Sequence, residues 1–453
     1  MGLNRVMNRS RSDNRHSEAS RRSSASRRSS ASRHGSASRY GNVSHYILIF
    51  CFAALALMLG ACTSSSGREQ FHDNLAASSH PFDLTEPSVV EPPELEPIEL
   101  NIISIGDIMA HYPWQFEYDS AGNSVFPEYF QYITDFTSRS DLALCNVEAP
   151  LAGGEMSGYP QFNMGDTMAL AVKGAGFDVV YTANNHMLDQ YNAGVFRSLE
   201  VLRAAGLETT GSRLSTDEPN FALVEVKGVK IAVVAYTYES AYRMINGLPF
   251  SQEMDPYINS YWGGDDDNLA EMKSILADCR AAGADLIIFY LHAGTEYDHQ
   301  PNFDQTYTAQ FLVDNGVDII FCSHAHVVQH MEILTPENAG TPVPVYWGMG
   351  NYISGQVVEG GMEVDNEVGV LADLTLVWNP ETRQVDSFTM DYTALWNCWY
   401  NYGGRQYNTV IPDVGDISEN PSIQISGYYY RALDAFDHVY AILGNQPLDW
   451  QRV

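Results

Sequence analysis

The sequence has few cysteines, little positive charge and a leading apolar stretch that is too short to cross a bilayer. Its six cysteines form neither the closely spaced pairs of a zinc site nor a disulfide framework. Cys145 and Cys322 lie at predicted strand ends, where small buried thiols are common. The leading apolar stretch, residues 46–59, is shorter than the roughly 20 residues that span a membrane. These absences argue against a cysteine-based metal site, a small disulfide-bonded fold and an uncleaved transmembrane anchor.

Positive charge is scarce and concentrated at the start of the chain. The chain has 25 Lys and Arg against 56 Asp and Glu, and residues 1–61 contain ten of the basic residues and two of the acidic ones. The remainder therefore carries a formal net charge of −39. Such a surface repels phosphate backbones, so we expect no nucleic-acid partner. An anionic substrate would need local positive charge, which a bound divalent metal would supply.

The first 61 residues are typical of an export signal. Residues 8–39 form a low-complexity Arg/Ser segment with too little apolar surface to fold. The apolar stretch follows it, and Leu59-Gly60-Ala61 then precede Cys62. This order resembles a bacterial lipoprotein signal, in which the cysteine becomes the acylated first residue. We therefore predict an extracytoplasmic, cell-membrane lipoprotein with a Pro/Glu-rich tether over residues 62–97.

From residue 98 onward, apolar strands alternate with helical patterns, as in parallel α/β folds. Strands are predicted at 98–105, 141–145, 178–182, 221–226, 229–236, 286–291, 318–321, 343–347, 369–378 and 385–392. Helices are predicted at 128–138, 166–175, 193–205, 268–282 and 304–314. Residues 237–264 are expected to form a loop over the site. The predicted folded domain is 98–392, and 393–453 form an aromatic-rich C-terminal extension.

Polar side chains stand at the ends of five predicted strands. They are found in Asp107, Asn146-Val147-Glu148, Asn184-Asn185-His186, His292 and His324-Ala325-His326. Ligands of open α/β sheets bind at the edge where the strands end. Imidazole, carboxylate and amide ligands suit Mn, Zn or Fe, whereas Ca prefers oxygen alone. The sequence therefore predicts a metal site built from loops, with His324 and His326 facing one ion together if the chain is extended there.

Six short motifs follow one another between residues 98 and 356. They are Gly106-Asp107, Asn146-Val147-Glu148-Ala149-Pro150-Leu151, Asn184-Asn185-His186-Met187-Leu188-Asp189, His292-Ala293-Gly294-Thr295-Glu296-Tyr297, His324-Ala325-His326-Val327-Val328-Gln329 and Gly348-Met349-Gly350-Asn351-Tyr352. Together they resemble the CapA or poly-γ-glutamate capsule biosynthesis family of the calcineurin-like metallophosphoesterase superfamily. The resemblance implies an α/β fold, a metallophosphoesterase-like four-layer sandwich of two mixed β-sheets flanked by helices, with two divalent metal ions at one edge.

The resemblance also implies a role for each motif residue. The implied metal ligands are Asp107, Glu148, Asn185, His292, His324 and His326, with Glu148 bridging the ions. His186 would contact the substrate and assist its leaving group. Asn146, Asp189 and Glu296 would orient the ligands and loops without binding the metal.

The chain departs from the superfamily pattern in two places. Ile108 and Met109 follow Asp107, so the histidine of the usual Asp-x-His is missing, and Ser323 stands where glycine is usual. His111 either substitutes for that histidine or lies on the surface, as a lone histidine more often does. His299 and His330 are predicted to be polar loop residues. Residues 348–351, without a lysine or a following helix, are predicted to form a tight turn near the site.

Three functions fit these observations. We favour a membrane-anchored, metal-dependent hydrolase-like protein of capsule synthesis, export or attachment, which acts on an anionic cell-surface polymer such as poly-γ-glutamate. The second is a phosphoesterase, such as a nucleotidase, with a phosphate ester as substrate. The third is a non-catalytic scaffold that assists capsule synthase subunits and holds a structural metal. Turnover of a γ-glutamyl polymer or of a phosphate ester would distinguish these functions.

Overall fold

The computed structural model describes residues 95–112, 126–249, 251–263 and 265–452. The predicted export signal, Cys62 and the tether up to residue 94 lie outside these ranges. Within them, no helix has the length and apolar character needed to cross a bilayer. The four cysteines in this part of the chain, Cys145, Cys279, Cys322 and Cys398, are free and buried.

Strands and helices alternate through most of the described chain. The strands are β1 (Ile98–Ile108), β2 (Leu142–Val147), β3 (Val179–Tyr181), β4 (Glu208–Thr210), β5 (Ala222–Val226), β6 (Val229–Tyr238), β7 (Met244–Ile245), β8 (Leu248–Pro249), β9 (Ser260–Tyr261), β10 (Leu286–His292), β11 (Ile319–Ser323), β12 (Met331–Leu334), β13 (Val343–Tyr346), β14 (Asn351–Ile353), β15 (Val368–Asn379), β16 (Gln384–Tyr402), β17 (Arg405–Pro412) and β18 (Leu448–Gln451). The α-helices are α1 (Phe126–Tyr129), α2 (Thr134–Thr137), α3 (Thr167–Gly174), α4 (Tyr191–Ala204), α5 (Asp266–Ala281), α6 (Phe303–Asp314), α7 (Pro421–Ser426) and α8 (Tyr429–Leu443).

The strands form two large mixed sheets. In the first, β1 to β4 lie parallel in chain order, and β15, β16 and β17 continue antiparallel from the other side of β1. In the second sheet, β6, β10, β11 and β13 are parallel neighbours, with β5 and β12 antiparallel at the edges. Both sheets therefore have a parallel centre whose strands end at one edge.

Alternating side chains on these strands fill separate cores. On β1, Leu100 and Ile102 join the core between the sheets, whereas Ile103 and Ile105 pack with the helices on the other face. On β6, Val233 joins the core between the sheets and its neighbours pack towards α5 and α6. Strands buried on both faces are apolar almost throughout, as parallel sheets require. The predicted four-layer sandwich of two mixed sheets flanked by helices is confirmed.

The predicted strands are all present, and most predicted helices agree within a few residues. The exception is the helix predicted at 128–138, which is two short helices, α1 and α2. Between them, the amides of Phe130 and Ile133 donate to carbonyls three residues back, to Pro127 and Phe130. These tighter turns place Phe130 and Ile133 in the core, so tertiary packing overrides the helical pattern. Residues 237–264 contain the small hairpin β7–β8 rather than loop alone.

The last 60 residues extend the first sheet. The predicted boundary between residues 392 and 393 lies inside β16, which continues to Tyr402 and pairs there with β17. Helix α8 packs on β15 and β16 and adds Phe436 and Val439 to the core between the sheets. Fully buried Trp396, on the second half of β16, belongs to the same core.

Candidate metal centre

The strand ends predicted to carry ligands meet at one edge of the sandwich. Asp107 ends β1 beside Asn146 of β2, and His292 ends β10 beside Ser323 of β11. The two sheets are joined there, because the Ser323 hydroxyl donates to Asp107 Oδ1 at 2.7 Å. The serine in place of the usual glycine thus links the first motif to the histidine motif.

Asn146 connects the acidic residues of this edge. Its Nδ2 donates to Asp107 Oδ1 at 2.7 Å and lies 3.4 Å from Glu148 Oε2. Its Oδ1 accepts a hydrogen bond from Asn184 Nδ2 at 3.1 Å. The same Nδ2 lies 3.5 Å from His292 Nδ1, so the Asn146 amide contacts both carboxylates and one of the histidines.

One group of donor atoms surrounds Glu148 on the side of the second sheet. His292 Nε2 lies 3.0 Å from Asn185 Oδ1 and 3.5 Å from Glu148 Oε1. Atoms of Glu148, His292 and His324 lie within 4.8 Å of one another, close enough to hold one metal ion. The other nitrogen of His292, Nδ1, is 3.1 Å from the hydroxyl of Tyr290, which orients the ring.

A second group lies on the other side of Glu148. Atoms of Asp107, Glu148 and His326 are also within 4.8 Å of one another. His326 Nδ1 is 3.3 Å from Asp107 Oδ2 but donates to Asn351 Oδ1 at 3.0 Å, which leaves Nε2 directed towards Glu148 Oε1 at 3.8 Å. Glu148 is therefore shared by the two groups, as predicted for a bridging carboxylate.

The donor set fits a divalent metal because its buried atoms lack other partners. Within the described residues, Asp107 Oδ2, Glu148 Oε1 and His324 Nδ1 are buried and have no hydrogen-bond partner. Leaving such atoms unsatisfied costs about 1–3 kcal/mol each, and more when they are charged. Glu148 shares one donor group with His324 and the other with Asp107, so these atoms lie in the two groups and suit ligands that bind oxygen and imidazole nitrogen.

Burial gives two of the histidines a protonation state that suits metal binding, whereas at His326 the hydrogen bond and charge of Asp107 outweigh burial and raise the pKa. Burial lowers the pKa of His292 to about 3 and that of His324 well below its ordinary value, so both keep a lone pair for a metal. Burial alone would raise the pKa of Asp107, but the neighbouring His326 outweighs it and holds that pKa below its usual value. Burial, and next the charge of Asp107, raise the pKa of Glu148, which shows the cost of two carboxylates there without a cation.

The local backbone differs from the extended chain expected around His324 and His326. Both residues have positive φ, at 110° and 54°, so the side chains do not point the same way through strand alternation. The two rings, 6.0 Å apart, belong to different donor groups with Glu148, but ligand atoms of both also lie within 4.8 Å of each other and of Glu296. The prediction of an extended chain is therefore wrong, whereas the two imidazoles remain close enough to face one ion together through a turn with positive φ.

His186 lies beside the donor groups and takes part in none of those that could hold a metal among the described residues. Its Nδ1 donates to Asp189 Oδ2 at 2.8 Å, and this carboxylate oxygen also accepts from the Phe162 amide at 2.7 Å. The Phe162 ring meets the imidazole edge-on at 4.6 Å. Asp189 and Phe162 thus hold the ring of His186 in one orientation, and its role at a substrate remains a prediction.

A cleft of about 830 Å³ opens next to these groups. His326, His186 and Glu296 line its floor, and Phe162, Tyr159 and Tyr297 are among its aromatic lining residues. Asn246, at the turn of the β7–β8 hairpin, also lines the cleft, so part of the predicted loop covers the site. No Lys or Arg is found among the lining residues that the structure describes.

The three ambiguous histidines have different positions. His111 lines the cleft, half-buried, and its Nδ1 accepts a hydrogen bond from the Gly355 amide at 2.9 Å. Like His299 and His330, it belongs to none of the possible metal groups found among the described residues. His299 contacts Asp365 and His330 contacts Glu332, as expected of polar loop residues.

Sequence reasoning missed the roles of several residues around the predicted ligands. Asn351, predicted to lie in a tight turn, starts β14 and orients His326, while the hydroxyl of Tyr290 reaches His292. Asn184 donates to Asn146 and to the Val147 carbonyl. Their position in the sequence could have indicated these roles, because each residue is within two residues of a predicted ligand or in the last of the six motifs.

The chain is similar to capsule synthesis proteins. A family model described as bacterial capsule synthesis protein PGA_cap matches residues 101–356. The capsule biosynthesis protein CapA of Bacillus anthracis is 27% identical over 236 residues, which cover 50% of this chain and 54% of that protein. The PGA biosynthesis protein CapA of Bacillus subtilis strain 168 is 25% identical over 280 residues, or 59% and 67% of the two chains. The chain thus spans between half and two thirds of the length of these relatives.

Among solved structures, a phosphatase from Mycoplasma pneumoniae is 15% identical, with a TM-score of 0.39. The alignment covers 66% of this chain and 95% of the phosphatase. A likeness of this size carries no weight beside the strands and contacts described above.

Proposed function

Because the chain belongs to the bacterial capsule synthesis family PGA_cap, we propose that it is an extracytoplasmic, metal-dependent hydrolase that acts on a cell-surface polymer of the capsule. The observation that carries this proposal is a pair of donor groups that share Glu148 beside an open cleft, in which Asp107, Glu148 and His324 each have a buried atom without a hydrogen-bond partner. A poly-γ-glutamate chain is the substrate that the family suggests.

Different residues would bind the metal ions and transfer the proton during hydrolysis. Asp107, Glu148, Asn185, His292, His324 and His326 would hold two divalent ions, of which Mn, Zn and Fe suit such donors. Metal ions in such a site make water a nucleophile at neutral pH and polarise the attacked group. His186, held through Nδ1 by Asp189, would present Nε2 to the substrate and move a proton to the leaving group.

The cleft favours a catalytic role over a purely structural one. A scaffold with a structural metal needs no access to its site, whereas His186 and His326 both line an open cavity. A phosphoesterase would use the same groups, so cleavage of a phosphate ester is the second candidate. The described residues of the cleft lining include no Lys or Arg, so a metal ion would supply the positive charge that attracts an anionic ester. Anchoring to the membrane through Cys62 forms part of the proposal and rests on the sequence alone.

The purified full chain tests this proposal through its metal content and its turnover. We expect bound divalent metal, hydrolysis of a γ-glutamyl polymer exceeding that of nucleotides and phosphodiesters, and loss of both metal and turnover in H292A and H324A. The control is H330A, which changes a partly exposed histidine outside the site and should behave as the wild type. Metal without any turnover would support a scaffold, and faster ester cleavage would support a phosphoesterase. Unchanged turnover in H292A would contradict the proposed metal centre itself.

A further inference from the structure

We infer that Glu296 is a direct ligand of one of the two ions, in place of the histidine missing after Asp107, and that this ion is bound more weakly than the other. The sequence predicted that Glu296 orients histidines or loops without binding the metal. This inference rests on the proposed metal centre. It adds one ligand, Glu296, and states which of the two ions is bound more weakly.

The two donor groups that share Glu148 are unequal. With Glu148, the group on the side of the second sheet includes Asn185, His292 and His324. The other group has only Asp107 and His326, because Met109 stands where the superfamily pattern places a histidine. A zinc, manganese or iron ion normally needs at least three protein ligands in a fixed geometry. The second group would therefore benefit most from another donor.

Glu296 lies where that donor is needed. Its carboxylate and the imidazoles of His324 and His326 place ligand atoms within 4.8 Å of one another. Both histidines are fully or nearly fully buried, His324 in the better supplied group and His326 in the group with fewer donors. A carboxylate this close to His326 can therefore complete the group that has fewer donors.

The backbone fixes this placement. The Tyr297 amide donates to the carbonyl of Ala325 at 2.7 Å, so Glu296 is held beside the turn between the two histidines. Further along the same loops, Gln329 Nε2 donates to the Asp298 carbonyl at 2.8 Å, and His299 Nδ1 donates to the Val328 carbonyl at 3.0 Å. Three hydrogen bonds thus join the loop after β10 to the loop after β11.

Exposure gives the two ions different affinities. The six predicted ligands are between 0% and 3% exposed, whereas Glu296 is exposed and lines the cleft. Water competes with an exposed carboxylate, so the ion that it holds exchanges more readily. Three carboxylates and one imidazole would surround that ion, a set that favours a harder metal such as Mn, whereas the nitrogen-rich group favours Zn or Fe.

Metal titration of the full chain tests this inference without measuring turnover. After chelator treatment, the wild type should bind two Mn²⁺ per chain by calorimetry, with magnetically coupled ions in the electron paramagnetic resonance spectrum. We expect E296Q to bind one ion with unchanged affinity and the other at least about tenfold more weakly, with the coupling lost. E296H supplies the imidazole that the first motif lacks and should recover the second ion. The matched control is E337Q, an exposed glutamate on the loop after β12 that does not line the cleft.

The outcomes separate this inference from the proposed function. Two ions bound by E296Q with wild-type affinity would overturn the ligand role, and the same result with slowed hydrolysis would make Glu296 a proton-transfer group instead. A wild-type chain that binds no metal would overturn the proposed hydrolase together with the inference.

Discussion

At the scale of single residues, the histidines of the site differ in what their second ring nitrogen contacts. His292 faces the Tyr290 hydroxyl and His326 the Asn351 amide oxygen, both uncharged partners. His186 instead donates to the carboxylate of Asp189. His326 Nδ1 also lies 3.3 Å from Asp107 Oδ2, and although burial alone would lower the pKa of His326, this carboxylate raises it. A metal ion at His326 would therefore displace a proton, whereas burial keeps His292 neutral, and the contact with Asp189 orients the ring of His186.

Replacing His186 should separate catalysis from metal binding. We expect H186A to lower kcat by about 10²–10⁴-fold, because the proton donor is lost, while both ions remain bound. The measurement is kcat on the preferred substrate beside metal stoichiometry of the same preparation. D189N, which keeps a side chain for the Phe162 amide but removes the charge, should give a smaller loss. Loss of metal from H186A would show that His186 is a ligand after all.

That the predicted ligands lie close together could be foreseen from the sequence, but their grouping could not. Each of them lies at or shortly after the end of a strand, and the motif order indicated which ones converge. The sequence does not show that His324 and His326 adopt positive φ, because neither position is a glycine. Ser323, which stands where glycine is usual, lies before the turn. Only the folded backbone places Glu296 beside these two imidazoles.

At the scale of elements, the approach of β1 to the chain before β14 places Asp107. The Asp107 amide donates to the carbonyl of Gly350 at 3.1 Å, and a Cβ on Gly106 would lie 2.0 Å from that same oxygen. Only glycine allows the two backbones to come this close. The close approach also brings Asn351 to His326, so one backbone contact supports both a ligand and its orienting partner.

A methyl group at Gly106 should therefore damage both stability and metal binding. We expect G106A to lower the free energy of unfolding by about 1–3 kcal/mol or more, since backbone atoms rather than a flexible side chain must move. Urea unfolding and metal titration measure the two effects. The matched control is G174A in α3, where a Cβ meets nothing within 4 Å. That variant should be neutral or more stable by about 0.5–1 kcal/mol. Equal stabilities of the two variants would contradict the argument.

Helix α8 is fastened to the first sheet by an ion pair that should respond to pH. Arg431 Nη2 lies 2.6 Å from Glu367 Oε1, and Glu367 is 1% exposed. Burial raises the pKa of Glu367 although Arg431 lowers it. Because the folded-state pKa exceeds the unfolded one, the contribution of Glu367 to stability decreases as pH rises through that pKa. Removing Arg431 would raise the pKa further and make the charged form more costly.

We therefore expect R431M to be destabilised at pH 7.5 by about 1–3 kcal/mol, a range reduced for the partial exposure of the arginine. The deficit should shrink at pH 5.5, where more of Glu367 is protonated. Urea unfolding at both pH values measures it, with R383M as the control, because Arg383 is 62% exposed in its pair with Asp285. A deficit that does not change with pH would show that packing, not charge, is lost.

The long central strands could be predicted from their apolar runs, but the short and edge elements could not. β4, β12 and β14 have three or four residues, too few for a periodic pattern. The C-terminal residues gave no clear signal, because β16 and α8 are defined by pairing and packing with distant parts of the chain. Long-range contacts of this kind are not visible in local sequence.

At the scale of the whole molecule, charge works against the proposed substrate. Outside the first 61 residues the chain has a net charge of −39, and the described lining of the cleft includes Glu296 but no Lys or Arg. A polyanion must therefore approach against repulsion until it reaches the metal centre. Salt screens this long-range repulsion, with a Debye length of about 10 Å at 0.1 M, but affects short contacts to a metal much less.

The salt dependence of hydrolysis should show this balance. For a γ-glutamyl polymer, we expect KM to fall several-fold as salt rises from about 0.01 to 0.15 M, where the Debye length drops from about 30 to 8 Å, with kcat nearly constant. The control is the same polymer with its side carboxyls amidated, whose KM should not change. The chain lacking residues 1–61 is the sample, since the ten arginines of that segment would otherwise attract the polymer. A KM that rises with salt would instead indicate a cationic surface that recruits the polyanion, and the repulsive acidic surface would then lie away from its path.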